Sequence, residues 1–231
     1  MLLRSLLLMF VGLMQIAAQE ADVAAVPEKS KNGKPALIAP ADLSEYAELP
    51  ADRRKLIDTA LSVARDSPWL PYTVQGSKPE DGGFDCSGAI HFVLRKAGLN
   101  PPRISGQQCE WVKSDSTLHP IPADAVSPDH PSLQNLHPGD LLFWGRKNPA
   151  ATPSFTITHV ALYLGTEKKD GRPVMINSTD GRSYRGTKAN GYGVYDFRLP
   201  QPGAAVSLLG YGTPPGITPW PATPTIKQKS Q

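Results

Sequence analysis

Near residue 140 the apolar pattern of this chain changes period, and that change limits the folds open to it more than any other feature. Upstream, apolar residues recur at helical spacing. Leu56, Ile57, Ala60, Leu61 and Ala64 form one stripe that starts at Ala51 and is stopped by Pro68. A second helix is expected over Cys86–Ala97, with Asp85 as its N-cap, Arg95 and Lys96 in its last turn, and Gly98 as its stop. It is apolar on most faces and so belongs in a core. A short third helix is expected over Ser105–Lys113. Downstream the period becomes two. LLFWG (141–145), THVALYLG (158–165), VMINS (174–178), GVYDFRL (193–199) and SLLGYG (207–212) are short strand-like runs divided by glycine-bearing turns. Helices first and strands afterwards predict an α+β domain over residues 51–212, with a mainly antiparallel sheet.

Both ends read differently from this middle. Residues 1–18 have one basic residue, Arg4, then an apolar run to Ile16 and small residues at Ala17 and Ala18, the three-part pattern of a secretory signal peptide. The mature protein is therefore expected to be exported, periplasmic or secreted, with no stable membrane insertion once the leader is removed; an uncleaved N-terminal membrane anchor is the alternative reading. Residues 19–50 read as an extended arm, and 213–231 as a proline-rich tail without fixed structure. Between the helices and the strands, Ser114–Leu136 reads as a long loop. Without Arg4 the 24 basic residues become 23, against 21 acidic ones, a balance that gives no electrostatic reason to expect nucleic acid as a partner.

The chemistry centres on GFDCSGAI (83–90), which holds one of the chain's two cysteines. Cys86 opens the second helix, where free N–H groups and the positive end of the helix dipole favour a thiolate and would hold an oxyanion. Two bland readings compete. In an oxidising compartment Cys86 can pair with Cys109, and it can also be an inert core thiol.

A nucleophilic cysteine needs a base, and there are five histidines. His91 lies about 140° round the helix from Cys86. His119, His130 and His137 lie in or beside the long loop, where turn or solvated roles suffice. His159 instead sits inside a strand, sharing a face with Ala161 and Tyr163. If THVALYLG and VMINS form a hairpin centred near Lys168, Asn177 falls opposite His159, with Cβ atoms about 5 Å apart, and a slip of two leaves the pair diagonal. An asparagine amide can fix the tautomer of the imidazole, so Cys86, His159 and Asn177 form a candidate triad. No HExxH or CxxC pair occurs, and neither metal nor other cofactor is expected. The absence of a GxSxG elbow argues against a serine hydrolase of that type.

DCSG (85–88), PGDLLFW (138–144), THVALYLG (158–165) and MINS (175–178), in this order, resemble the NlpC and p-sixty family of cell-wall cysteine peptidases. The resemblance implies a reduced papain-like α+β fold, with the catalytic cysteine at a helix N-terminus packed on a mainly antiparallel sheet. It implies Cys86 as nucleophile, His159 as general base and acid, and Asn177 at the third position. It also implies Tyr72 beside the oxyanion, with Asp85 and Ser87 helping to hold the peptide. The implied substrate is a peptidoglycan stem peptide or muropeptide, cut between γ-D-glutamate and a diamino acid by a monomer. An amidase, another wall endopeptidase, or a catalytically silent wall-binding protein are the alternatives. The sequence departs from the family pattern in the long link from Tyr72 to Cys86 and in RKNPAATPSFTI (146–157) before His159.

Overall fold

The computed structural model describes residues 32–122, 125–147, 155–201 and 203–220. The expected leader, part of the arm and the last residues of the tail lie outside them. Three helices and eight strands follow in the order α1 (Ala51–Asp66), β1 (Ser77–Lys78), β2 (Gly83–Phe84), α2 (Cys86–Ala97), α3 (Ser105–Ser114), β3 (Leu118–Pro120), β4 (Leu141–Lys147), β5 (Phe155–Thr166), β6 (Pro173–Tyr184), β7 (Thr187–Asp196) and β8 (Ser207–Gly212). The fold is α+β. Six strands form one antiparallel sheet in the order β3-β8-β4-β5-β6-β7, and β1 with β2 makes a small hairpin just ahead of α2.

The two faces of the sheet are separated by the alternation of side chains along each strand. Leu141, Phe143, Val160, Leu162, Leu164, Val174 and Ile176 point to one face and pack against α1 and α2 through Leu56, Ile57, Ile90, Val93 and Leu94. Leu142, Trp144, Ala161, Tyr163, Met175 and Tyr195 point to the other. That second face is also buried, because Ile121, Ala125 and Leu133 of the loop and Phe197 and Leu199 after β7 lie over it. Much of the Ser114–Leu136 loop is thus a structural cover, tied down where the Tyr211 hydroxyl donates to the Ser132 carbonyl at 3.0 Å.

The ends take a larger part than their composition suggests. In the arm, the carbonyls of Gly33 and Ala36 accept from the N–H groups of Asn190 and Val194, so the chain lies along the outer edge of β7. This covers one edge of the sheet. At the other end, the expectation of a tail without fixed structure fails for 213–220. Arg53 of α1, fully buried, donates to Thr218 O and Thr213 Oγ1, each at 2.7 Å, to Pro138 O at 2.7 Å and to Asp140 at 3.0 Å. Asp52 accepts from the Thr218 N–H at 2.6 Å, Ile217 is buried, and Trp220 stacks on His137 with centroids 5.5 Å apart. The PGD turn before β4 is therefore a hub that joins α1, the sheet and the tail. Gly139 (φ +96°) takes a backbone conformation there that a side chain would strain, with Arg53 in van der Waals contact 3.4 Å from where a Cβ would stand.

The hairpin of β5 and β6 pairs Thr166 with Pro173, then Leu162 with Ile176, with an irregularity between Tyr163 and Gly165. One step beyond that last pair Asn177 comes level with Ala161, so the direct pairing of Asn177 with His159 is replaced by the diagonal one. The cause is the bulge together with the 167–172 turn.

Candidate active site

The tip of α2 is built by close backbone approach. The Asp85 carboxylate caps the helix, accepting from the Gly88 N–H at 2.6 Å. A Cβ at Gly88 would lie 2.0 Å from the Gly76 carbonyl oxygen, and one at Gly83 (φ +150°) would lie 2.0 Å from that of Pro71. These glycines let the 71–76 strand of chain lie flat against the helix mouth. Arg103 then locks the two together. It donates to Asp85 at 2.8 and 3.1 Å, to Ser87 Oγ at 2.9 Å, and to the carbonyls of Gln75 and Gly76 at 2.9 and 3.1 Å. Arg103 was not singled out from the sequence, where nothing relates it to Asp85 eighteen residues earlier.

Cys86 is 8% exposed, and its sulfur accepts from the N–H of Val160, the residue after His159, as well as from the N–H groups at 86 and 87. That contact docks the helix mouth onto β5. Burial is the largest influence on the thiol and raises its pKa above the ordinary value, despite these hydrogen bonds. The expectation that the helix terminus favours a thiolate is therefore opposed by burial. Cys86 and Cys109 are both free thiols, so no disulfide joins them. Cys109 packs in α3, and burial pushes its pKa up to about 11.

His159 Nε2 lies 2.5 Å from the Asn177 amide, whose Oδ1 is buried without a partner when Nδ2 faces the ring. Turning the amide through 180° satisfies Oδ1 with the Nε2–H and leaves Nδ1 as the basic nitrogen, the tautomer that proton abstraction requires. Dense packing around the ring, and secondarily the Arg182 cation, lower the His159 pKa to about 3. The resting pair is thus neutral thiol and neutral imidazole.

Trp144 flanks His159, ring centroids 5.5 Å apart, and carries Arg182 on its ring with the guanidinium carbon 4.6 Å from the centroid. Neither was foreseen as part of the site. Tyr72 sits at the opening, 37% exposed, its N–H held by the Asn190 side chain at 2.9 Å. Burial first, then the neighbouring Cys86 and Asp85, raise the pKa of its phenol. Five of the six residues singled out from the sequence, Tyr72, Asp85, Cys86, Ser87 and His159, thus gather at the meeting of α2 and β5, and Asn177 stands behind His159.

The other histidines have structural neighbours. His91 contacts the Pro102 carbonyl at 3.2 Å, His130 contacts Ser132 Oγ at 2.8 Å, His119 stacks on Tyr211 and His137 on Trp220. Among the described residues, no group of three or more His, Cys, Asp or Glu could hold a metal ion, and no helix is long and apolar enough to cross a membrane.

A cysteine at the mouth of a buried helix, packed against an antiparallel sheet whose strand β5 carries a histidine, fits the α+β class that the sequence predicts. Within that class a profile of the NlpC/P60 family matches residues 70–193, more than half of the chain, and the protein belongs to this family. It is 32% identical over 123 residues to the bifunctional muramidase/DL-endopeptidase CwlT of Bacillus subtilis, covering 53% of this chain and 29% of that protein. It is 32% identical over 122 residues to a gamma-DL-glutamyl hydrolase of the same organism, covering 53% and 23%. The chain thus spans less than a third of the length of these relatives. Among solved structures it is similar to the peptidoglycan hydrolase RipB of Mycobacterium tuberculosis, with 24% identity over 72% of this chain and 69% of that one and a TM-score of 0.38.

Proposed function

We propose that the protein is an exported peptidoglycan hydrolase that cuts stem peptides between γ-D-glutamate and a diamino acid by thiol catalysis. The observation that carries the reading is the Asn177 amide on His159 Nε2 together with the Val160 N–H, from the residue after His159, on the Cys86 sulfur. The names of the relatives, a DL-endopeptidase and a gamma-DL-glutamyl hydrolase, supply the bond class.

From the neutral pair, the Cys86 sulfur attacks the scissile carbonyl carbon as its proton passes to Nδ1 of His159. The oxyanion is stabilised by N–H groups at the mouth of α2 and by the Tyr72 hydroxyl. The imidazolium, steadied by Asn177, gives its proton to the leaving amine, and a thioester to Cys86 remains. His159 then takes a proton from water, the hydroxide adds to the thioester, and the carboxylate product leaves as the thiol recovers its proton. Starting from neutral partners requires no stable ion pair in the free protein, because charge separates only as the oxyanion forms.

The test is incubation of the mature protein and of Cys86→Ala with L-Ala-γ-D-Glu-diamino acid peptides and with muropeptides, with the fragments identified by mass. Release of the L-Ala-γ-D-Glu dipeptide by the wild type alone is expected. Intact peptides with both proteins, or equal cleavage by Cys86→Ala, would overturn the proposal.

A further inference from the structure

A single exposed apolar side chain needs no explanation, but two that line one groove do. Leu37 of the arm, 55% exposed, and Trp69, 44% exposed, share a groove of about 140 Å³ where the arm meets the end of α1, with the buried Tyr192 at its base. Lys34, Arg65 and Ser67 add polar groups to its lining. Lys34 and Ser67 hold no side-chain hydrogen bond or ion pair among the described residues. Arg65 is paired only with Asp66, both about 60% exposed, and such a surface pair is readily exchanged.

The indole is fixed in its exposed position. Its N–H donates to the Asn190 carbonyl at 2.9 Å, and Gly191 (φ +113°) leaves room for it, since a Cβ there would lie 3.0 Å from the ring nitrogen. The backbone beyond is held too, by the Tyr192 N–H on the Leu70 carbonyl at 2.8 Å and by the Asn190 side chain on the Tyr72 N–H. A ligand that stacks on Trp69 therefore has little to order. A rigid apolar ring bordered by donors matches a partner with an apolar face and a polar edge. An apolar protein segment would desolvate Lys34, Arg65 and Ser67 without pairing them. A pyranose ring meets both demands, because its axial C–H groups form a flat apolar face and its equatorial substituents reach outward to the donors. The volume is well below the roughly 300–1,000 Å³ that encloses a whole small ligand, so it suits one ring of a longer chain.

Resting on the reading of function above for the identity of the sugar, we propose that this groove is a glycan site that takes one N-acetylhexosamine ring of the wall strand, stacked on Trp69. Trp69 stands three residues before Tyr72, so at most about 11 Å of chain separates it from the opening of the cleft. In a muropeptide the lactyl group, L-alanine and the γ-linked glutamate together span about 13 Å when extended. The two lengths are comparable, so a strand held in the groove keeps its stem peptides within reach of Cys86.

The experiment titrates the ¹⁵N-labelled mature protein with chitotetraose, a peptide-free β-1,4-linked tetramer of N-acetylglucosamine, and follows the indole N–H cross-peaks of the four tryptophans. The Trp69 peak is the one absent from Trp69→Ala. It should shift saturably in wild type with a Kd of about 0.1–1 mM, and the peaks and amides around the groove should require at least about tenfold more sugar in Trp69→Ala. Arg65→Ala, at the exposed end of α1, removes one donor, should weaken binding about threefold, and carries the test if Trp69→Ala does not fold. No shift at about 10 mM sugar, or an unchanged Kd in the variants, overturns the proposal. Self-association in sedimentation that Trp69→Ala abolishes, without any response to sugar, overturns it in favour of a second copy of the chain. Sugar binding by a protein that leaves stem peptides intact would instead refute the hydrolase reading and leave the groove a glycan site.

Discussion

Replacing Arg53 with methionine should unfold the protein more readily than any change at the surface. The side chain is wholly buried in α1, makes four hydrogen bonds, and neutralises Asp140, whose side chain is 3% exposed. Methionine fills much of the volume, so packing changes little. The cost lies in the stranded polar groups. Asp140 would keep the His137 N–H and the Thr213 hydroxyl, both at 2.9 Å, but lose its counter-charge. Three oxygens that accept from the guanidinium would lose a donor. Breaking a buried pair by removing one partner costs about 3–5 kcal/mol, a large part of the roughly 5–15 kcal/mol that holds a domain together. For a domain of this size the midpoint should fall by about 10 °C. Urea unfolding and calorimetry would read the loss, and Trp220, released from His137, would report the tail by fluorescence. Adding Asp140→Asn to Arg53→Met removes the stranded charge and should return about 1–3 kcal/mol. A loss below 1 kcal/mol in the single variant, or no recovery in the double, would refute the reasoning.

Gly88→Ala sets helix propensity, which favours alanine by about 1 kcal/mol, against a methyl 2.0 Å from the Gly76 carbonyl oxygen. No rotamer relieves that clash, so a net loss of about 1–3 kcal/mol is expected, with a roughly hundredfold fall in kcat/KM as the helix mouth shifts. An alanine variant as stable as wild type in urea would contradict this. The neutral resting pair predicts that alkylation of Cys86 by iodoacetamide, followed by mass mapping, climbs through pH 9 without a plateau between pH 5 and 8. A plateau in that range would establish a thiolate instead. His159 holds its proton less well folded, with a pKa of about 3, than unfolded, at 6.5. Its contribution to stability is therefore present above pH 6.5 and lost as the pH falls toward 3. Wild type should lose more stability than His159→Gln between pH 7 and 4.5, measured by urea unfolding.

What could be read in the sequence was mostly local. The Asp85 cap, the extent of α2 and the glycine after it depend on neighbours within one turn, and α2 runs Cys86–Ala97 as expected. His159 and Asn177 were found by counting along one hairpin, and the count missed only the bulge. Residues whose role depends on distant partners were invisible. Arg53 resembles any solvent-facing arginine of an amphipathic helix until Asp140, 87 positions on, is seen beside it. Arg182 was hidden by parity, since one inserted residue puts it on the face that alternation denies it. The proline-rich composition of the tail concealed Ile217 and Thr218, whose contacts depend on groove shape rather than periodicity. The thiol was misjudged because a helix mouth favours charge while its burial, which no single stretch reveals, opposes it.

The arm along β7 separates the region that identifies the protein from the region that folds. Residues 70–193 carry the family's recognisable pattern, yet they leave out α1, the arm, the tail and β8, a strand from the interior of the sheet. A gene fusion that moved only that stretch would transplant the chemistry with a bare outer strand and a gap beside β4. Substitutions in the arm should therefore surface in a mutational screen as lost yield and edge-to-edge aggregation, at positions far from any reacting atom.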